Sequence, residues 1–136
     1  MDVSKRVQGY IDLALEIAKD SEYGKFRHGA VLVKGSTIRN TAYNQDRYCS
    51  FGNRFRQRDK GHATLHAELG CVLGLDRGIT SGSTVYVARL NRQDKPRISK
   101  PCSMCQAALS HVGVRKVVYT TSNGKIESIN LQREEQ

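Results

Sequence analysis

Apolar residues near the start of the chain recur at the spacing of one helix face. The segment from about Val3 to Lys19 therefore predicts an amphipathic α-helix, and Gly24 follows it as a stop. The apolar positions of this face are Val3, Val7, Tyr10, Ile11, Ala14, Leu15 and Ala18. The short apolar run from Ala30 to Val33 predicts a strand, and Thr37 to Asn44 predicts its hairpin partner across a turn at Gly35.

The middle of the chain alternates polar segments with apolar ones. Residues Gln45 to Gly61 show neither the helical nor the strand spacing of apolar residues and therefore predict a long irregular loop. Loops of this length are uncommon in compact domains and are often functional. Helical spacing then returns and predicts a second helix that ends at Gly78. Its apolar positions are Leu65, Leu69, Val72 and Leu73. Ser83 to Leu90 predicts a strand, and a polar loop from Asn91 to Lys100 follows it.

A third helix is predicted after this loop. Ser99 is a typical N-cap residue, and Pro101 falls in the first turn, where proline is tolerated. Gly113 ends the helix. The residues on its apolar stripe are Cys102, Cys105, Leu109 and Val112.

The last part of the chain predicts two more strands. They cover Arg115 to Thr121 and Ile126 to Leu131, with a turn at Asn123 and Gly124 between them. The predicted order is α-β-β-α-β-α-β-β. The strand-helix-strand unit from Ser83 to Thr121 favours parallel neighbouring strands, so we expect a mixed sheet covered by helices.

Composition limits the class of protein. A chain of 136 residues is long enough for one domain, 1–136, and too short for two independent cores. With 38% apolar and 26% charged residues, it is typical of a folded domain and not of a disordered one. No apolar run approaches the roughly 18 residues of a membrane span, and the N-terminus does not resemble a secretory signal. We therefore expect a cytoplasmic protein with no membrane partner.

Cysteine use points to a metal or to catalysis, because disulfides are rare in a reducing compartment. Only Cys102 and Cys105, among the four cysteines, have a spacing typical of ligands. Alone, this pair is also consistent with a redox pair at a helix N-terminus. A structural zinc site would need two more ligands.

Other cysteines and histidines carry weaker signals. Cys71 is interpreted as a buried core thiol. Cys49 and His62 could contribute to a second metal site, but two ligands are too few for one. His28 and His111 have no recognisable partners in the sequence and are interpreted as structural.

Two short motifs together form a specific pattern. His66-Ala67-Glu68 is followed, after 32 residues, by Pro101-Cys102-Ser103-Met104-Cys105. This arrangement matches the signature of zinc-dependent nucleobase deaminases. Three protein ligands leave the fourth tetrahedral position open for water, whose pKa zinc lowers to about 7. Helix N-termini at both motifs favour the thiolate form of the cysteines.

On these motifs, the chain resembles the cytidine and deoxycytidylate deaminase superfamily, which also includes tRNA adenosine deaminases and nucleic-acid-mutating cytidine deaminases. The resemblance extends from the first helix to about Thr121, and it is closest to small virus-type deoxycytidylate deaminases. It implies an α/β fold in three α-β-α layers, with a mixed five-stranded sheet and helices on its faces.

The same resemblance implies roles for individual residues. The residues that match the family's zinc ligands are His66, Cys102 and Cys105. Glu68 matches the residue that shuttles protons, since it lies close to the metal without being a ligand. Asn44 and Ala67 match positions that contact substrate. For Asn44, a turn residue that caps the hairpin is the alternative interpretation.

The implied activity is zinc-dependent hydrolytic deamination of a cytosine-type nucleoside or nucleotide, such as dCMP or cytidine, with ammonia released. One alternative is a deaminase that acts on cytosine or adenine within single-stranded DNA or RNA. A catalytically silent nucleic-acid-binding relative is another, although an intact Glu68 argues against it. We also expect a homo-oligomer.

Charge is what keeps the polymer alternative open. The chain has a net charge of +9, and most of it falls in segments 45–62 and 89–100, with net charges of +3 and +4. Tyr48, Phe51 and Phe55 are interleaved with the arginines of the first segment, an arrangement that suits base stacking beside phosphate contacts. A mononucleotide needs fewer cations than these two segments supply, although such charges are often simply solvated.

Overall fold

The computed structural model describes residues 4–21, 26–48 and 64–131. Gly24, Cys49, His62 and most of the basic segment 45–62 lie outside the described residues. The helices are α1 (Lys5–Ala18), α2 (Ala67–Val72), α3 (Arg77–Thr80) and α4 (Ser103–His111). The strands are β1 (Arg27–Lys34), β2 (Thr37–Tyr43), β3 (Gln45–Tyr48), β4 (Thr64–Leu65), β5 (Thr84–Leu90), β6 (Pro96–Arg97), β7 (Lys116–Thr120) and β8 (Ile126–Asn130).

A mixed sheet forms the centre of the molecule, as predicted. Its strand order is β2-β1-β5-β7-β8, and the two-residue strand β6 pairs with β5 in addition. β5 and β7 are parallel, whereas β1 is antiparallel to β2 and β5. The predicted strand-helix-strand unit therefore exists, with α4 as the connection between the two parallel strands.

Helices cover the two faces of this sheet. Ala30 and Leu32 of β1 belong to the core cluster that contains Ala67 of α2 and Leu109 of α4. The alternate β1 residues Val31 and Val33 belong to a second cluster with Ile11 and Ala14 of α1. Because side chains alternate across a strand, α1 lies on one face of the sheet, and α2 and α4 lie on the other. The three-layer prediction is confirmed. No helix in the described part of the chain is long and apolar enough to span a membrane.

The loop prediction for Gln45 to Gly61 is wrong at its beginning. Residues Gln45–Tyr48 form β3, which pairs with β4 in a separate two-stranded sheet. The polar loop predicted from Asn91 to Lys100 likewise contains β6, where Arg97 pairs with Arg89 of β5. Such short pairings depend on a backbone partner elsewhere in the chain, which periodicity within one segment does not reveal.

The second predicted helix is in fact two helices. α2 ends at Val72, Leu73 is extended, and Gly74 has a φ of 79° that an α-helix does not accommodate. Gly78 does not end a helix but lies within the short α3. Leu73, predicted on the apolar face, is 41% exposed because the chain leaves the helix there.

The third predicted helix begins later than expected. Its N-cap is Cys102, so Ser99 is not the cap and Pro101 precedes the helix instead of lying in its first turn. The buried Ser99 hydroxyl donates to Val87 O at 3.0 Å and accepts from Thr120 N at 2.9 Å. Ser99 thus ties the segment before α4 to both parallel strands. The predicted end of this helix at Gly113 is confirmed, since Gly113 has a φ of 91°.

Gly29 allows α1 to pack directly on β1. A Cβ at this position would overlap the carbonyl oxygen of Ala14 and lie 2.6 Å from the backbone nitrogen of Ala18. Both groups belong to the rigid backbone of a helix end, so neither can move aside cheaply. Only glycine fits between the sheet and α1 at this point.

We therefore expect Gly29→Ala to lower the free energy of unfolding by about 1–3 kcal/mol, the usual effect of overpacking. Gly9→Ala is the matched control, since a Cβ at Gly9 of α1 meets nothing within 4 Å. Alanine favours a helix more than glycine does, so this control should raise stability by about 0.5–1 kcal/mol. Urea unfolding of both variants measures the difference. Equal stabilities would contradict the close packing of α1.

Candidate active site

Two helix N-termini meet at one end of the α2–α4 layer. His66 is the N-cap residue of α2, Cys102 is the N-cap residue of α4, and Cys105 lies in the first turn of α4. One ligand atom from each of these three side chains lies within 4.8 Å of the others. The His66 Nδ1 atom is 3.1 Å from Cys105 Sγ. The fold thus brings together the two motifs that the sequence separates.

The protonation of this cluster is uneven. A hydrogen bond from the Cys105 thiol and another from His66 lower the pKa of Cys102 to about 4. The pKa of Cys105 is raised, first by its bond to Cys102 and then by burial. The interaction of the His66 ring with Cys102 is the main cause that raises the pKa of His66. Cys102 is therefore the thiolate of the cluster near neutral pH.

This donor set fits a zinc ion. Imidazole nitrogen and thiolate sulfur are the ligands that zinc prefers. Tetrahedral bonds of about 2.3 Å to sulfur and 2.0 Å to nitrogen would place those two atoms about 3.5 Å apart. The observed His66 Nδ1 to Cys105 Sγ distance of 3.1 Å needs little adjustment. Within the described residues no fourth His, Cys, Asp or Glu joins the cluster, and a set of three ligands is typical of catalytic zinc.

Glu68 is a buried carboxyl group beside the cluster. Its side chain projects from the first turn of α2, and the residue is only 4% exposed. After the Cys102 contact and burial, the charge of Glu68 also raises the pKa of the Cys105 thiol. Buried acids are uncommon unless they are paired or functional. The fold therefore places a buried acid next to the His66, Cys102 and Cys105 cluster.

A pocket of about 370 Å³ opens above the cluster. Its lining residues are Phe26, His28, Asn44, His66, Ala67, Glu68, Lys100 and Cys102. The volume is near the lower end of the range for small-molecule sites. Apart from the buried Cys105, every residue proposed as a site residue from the sequence lines this pocket.

The interpretation of His28 as structural was incomplete, because this side chain also lines the pocket. The alternation of side chains along β1 predicts which face of the sheet His28 occupies. Ala30 and Leu32 are the apolar residues on the face covered by α2, and His28 is the next residue of the same parity. The interpretation of Cys71 as a core thiol is confirmed, since it is fully buried and its pKa is raised by burial.

The side-chain amide of Asn44 forms hydrogen bonds with the backbone at the start of β1. Its Oδ1 accepts a hydrogen bond from His28 N at 2.9 Å, and its Nδ2 donates to Phe26 O at 2.8 Å. The Asn44 backbone nitrogen also donates to His28 O at 3.3 Å. This geometry supports the alternative interpretation of a residue that holds the hairpin. Asn44 lines the pocket while it fixes the strand that forms one pocket wall.

Charged and aromatic groups surround the mouth of the pocket. Lys100 is exposed, and the Arg89 guanidinium lies 4.4 Å from the centre of the half-exposed Phe26 ring. Arg27 forms an ion pair with Asp94, so part of the basic charge near segment 89–100 is neutralised. The mouth therefore combines an aromatic face with positive charge.

Comparison with known proteins gives a family match over most of the chain. The family model for the cytidine and deoxycytidylate deaminase zinc-binding region matches residues 4–121. Deoxycytidylate deaminase from Mycobacterium phage D29 is 26% identical over 125 residues, which cover 81% of this chain and 90% of that protein.

Several solved structures share the fold. The dCMP deaminase from cyanophage S-TIM5 in apo form has a TM-score of 0.60 at 18% identity, covering 89% of this chain and 86% of that one. Its complex with dCMP and dUMP has a TM-score of 0.57 at 19% identity, covering 89% and 85%. Cytidine deaminase from Burkholderia pseudomallei has a TM-score of 0.60 at 15% identity, covering 95% and 94%. The fold class expected from the sequence is confirmed.

The contacts of Asn44 predict a cost in stability when its amide group is removed. Asn44→Ala leaves the His28 N–H without its acceptor, so we expect the free energy of unfolding to fall by about 1–3 kcal/mol. Asn40→Ala is the matched control in β2, since Asn40 donates to Cys71 O away from the pocket. Both variants should lose stability on urea unfolding, but only Asn44→Ala should shift the NMR signals of the His28 ring. Unchanged His28 signals would contradict the positioning role.

Proposed function

The chain belongs to the cytidine and deoxycytidylate deaminase family, and from this premise we propose a zinc-dependent hydrolase that deaminates a cytosine nucleotide, with dCMP as the first candidate. Water would replace the exocyclic amine of cytosine by a carbonyl, giving the uracil product and ammonia. The observation that carries this proposal is the buried Glu68 carboxyl group next to one imidazole and two cysteine side chains that could hold a metal, at the base of a pocket.

Three side chains would hold the zinc ion. They are His66 through Nδ1, and Cys102 and Cys105 through their sulfur atoms. When bound, zinc supplies a Lewis acid that makes water a nucleophile at neutral pH. The Cys102 thiolate needs no further proton loss to bind a cation, whereas the Cys105 thiol, whose pKa is raised, must release its proton.

Glu68 would move the protons of the reaction. Its carboxylate takes one proton from water and passes it to the ring nitrogen N3 of cytosine. Once the water oxygen has bonded to the carbon that carries the amine, the same carboxylate takes the second proton from that oxygen and delivers it to the amine, which leaves as ammonia while the oxygen becomes the carbonyl of uracil. Burial keeps bulk water from exchanging these protons. This role also argues against a catalytically silent relative, which would have no use for a buried carboxyl group at this position.

A free nucleotide is favoured over a nucleoside for two reasons. The phage relative is a deoxycytidylate deaminase, and the similar cyanophage enzyme forms a complex with dCMP and dUMP. Lys100 also lines the pocket and is exposed, so its ammonium group could reach a 5′-phosphate. One cation at the rim suits a single phosphate group.

Single-stranded nucleic acid is the second candidate substrate. The half-exposed Phe26 ring beside Arg89 resembles the stacking surfaces that bind successive bases. Against it, the Arg27 guanidinium is already engaged by Asp94 and would have to leave that partner to contact a phosphate backbone. The aromatic residues of segment 49–61 that raised this alternative lie outside the described residues.

The direct test is ammonia release from dCMP, deoxycytidine, CMP and a cytosine-containing single-stranded oligonucleotide. We expect turnover of dCMP, and we expect Glu68→Gln to lower it by about 10²–10⁴-fold while zinc stays bound, because an amide cannot carry the proton. Glu16→Gln, at an exposed acid of α1 that pairs with Lys19, is the control and should leave turnover unchanged. Wild-type rates in Glu68→Gln would disprove the proton role.

A salt titration of binding, measured alongside the substrate panel, decides between nucleotide and polymer. The logarithm of the binding constant of a single strand should fall with the logarithm of the salt concentration by roughly 0.7 per contacted phosphate, whereas a mononucleotide should show a slope near one. Turnover of the oligonucleotide with a steep slope would replace the nucleotide proposal.

Metal binding can be tested separately from activity. We expect Cys105→Ala to lose the zinc ion, because two remaining ligands hold zinc poorly. Cys71→Ala is the matched control, since Cys71 is equally buried but lies outside the ligand cluster. Metal analysis of the purified proteins should find zinc in the control and little in Cys105→Ala. Full zinc content in Cys105→Ala would overturn the ligand assignment.

A further inference from the structure

We propose that His28 recognises the sugar of the substrate, through a hydrogen bond that its Nε2 atom accepts from a sugar hydroxyl group. The inference rests on the proposed function, because it takes a cytosine nucleotide as the ligand of the pocket. Its basis is the geometry of the wall opposite the metal ligands.

The pocket has two chemically different walls. His66, Ala67, Glu68 and Cys102 lie at the starts of α2 and α4 and form the helix wall. The strand wall is formed by Phe26, which precedes β1, by His28 in β1 and by Asn44, which follows β2. The three side chains of the candidate metal cluster and the Glu68 carboxyl group all belong to the starts of α2 and α4, on the side of the helix wall. The reacting end of the base therefore faces the helix wall.

The ring of His28 is held in one orientation. Its Nδ1 atom is 3.1 Å from Phe26 O. A carbonyl oxygen can only accept, so Nδ1 carries the hydrogen. Asn44 holds the same stretch of backbone by bonding to His28 N and Phe26 O. The ring, its own carbonyl partner and the strand are thus fixed together before any ligand arrives.

A neutral ring with hydrogen on Nδ1 has a lone pair on Nε2 and accepts a hydrogen bond there. Burial is the main influence on His28 and lowers its pKa, which favours the neutral ring. The charges of Arg89 and His66 act in the same direction, whereas Glu68 and the bond to Phe26 O oppose it. Proton transfer by His28 is not needed for this role.

The Nε2 atom is open to the pocket. It makes no hydrogen bond to the residues that the structure describes. Over those same residues, no buried side-chain nitrogen or oxygen is without a hydrogen-bond partner. Nε2 is therefore not sealed inside the protein, and the accessible space next to this side chain is the pocket that it lines.

The chemistry of a cytosine nucleotide selects the group that such an acceptor can bind. On the base, the ring nitrogen N3 and the carbonyl oxygen are acceptors, and the one donor is the amine that the reaction removes. The phosphate group is an anion whose oxygens mainly accept. The sugar hydroxyl groups are the donors that remain. An acceptor on the strand wall, away from the reacting end, therefore matches a sugar hydroxyl group.

Binding to the inactive Glu68→Gln protein tests this assignment without turnover. The ligands are CMP, dCMP, 3′-deoxycytidine monophosphate and 2′,3′-dideoxycytidine monophosphate, each measured by calorimetry. We expect loss of one hydroxyl group to weaken binding by roughly 3- to 10-fold, the usual effect of one neutral hydrogen bond. The ligand pair that shows the loss identifies the 2′ or the 3′ hydroxyl, and either supports the proposal.

Variants of His28, made in the Glu68→Gln protein, test whether this residue is the source of the preference for the hydroxyl group. His28→Phe keeps a ring but has no acceptor, so it should bind the hydroxylated and deoxygenated ligands equally well. His28→Gln can place an amide oxygen near the position of Nε2 and should restore part of the preference. His111→Gln at the end of α4 is the control and should keep the full preference. Thermal unfolding checks that each variant folds, and His28→Gln also serves if His28→Phe does not.

Two different results would distinguish failure of the His28 proposal from failure of the proposed function. If the ligands bind but His28→Phe keeps the wild-type preference for the hydroxyl group, His28 does not recognise the sugar, and the deaminase proposal stands. If no cytosine nucleotide binds to Glu68→Gln or is turned over by the wild-type protein, the proposed function itself is wrong.

Discussion

The parallel pairing of β5 with β7 is the constraint on which the site depends. Parallel strands cannot be joined by a tight turn, so the chain between them must cross the sheet, and α4 makes that crossing. Ser99 is bonded to both strands just before the helix and fixes where it starts. Cys102, the N-cap residue of α4, therefore lies just beyond the ends of the two parallel strands. The close approach of Cys102 and Cys105 to His66 is a consequence of this crossover.

The opposite wall has its own constraint, the contact between α1 and β1. Gly29 lets the helix backbone lie against the strand, which leaves no space on that side for a side chain. The neighbouring residue His28 points to the other face, toward α2. Asn44 then holds this part of β1 to the end of β2 through its amide group. A residue in the pocket is thus positioned partly by packing on the far side of the sheet.

The sequence was most informative where one segment carries its own signal. The period of α1, the alternation of buried strands and the two short motifs each depend on nearby residues. They predicted the helices, most strands and the residues of the His66, Cys102 and Cys105 cluster. Features that need a distant partner were missed. β3 requires β4, and the role of Ser99 requires two strands that are separated from each other by α4. His28 was overlooked because its significance comes from the carboxyl group and ligands facing it across the pocket.

Net charge and the polar groups of the pocket make different contributions to ligand binding in this protein. A charge of +9 attracts anions of many kinds, but salt screens exposed charges beyond about 8 Å at physiological ionic strength. Attraction at the surface therefore raises encounter rates without distinguishing one nucleotide from another. Discrimination has to come from groups that a ligand desolvates, because an unpaired polar group is costly only where water is excluded. The half-buried His28, held by Phe26 and Asn44, is such a group, whereas the exposed Lys100 is not.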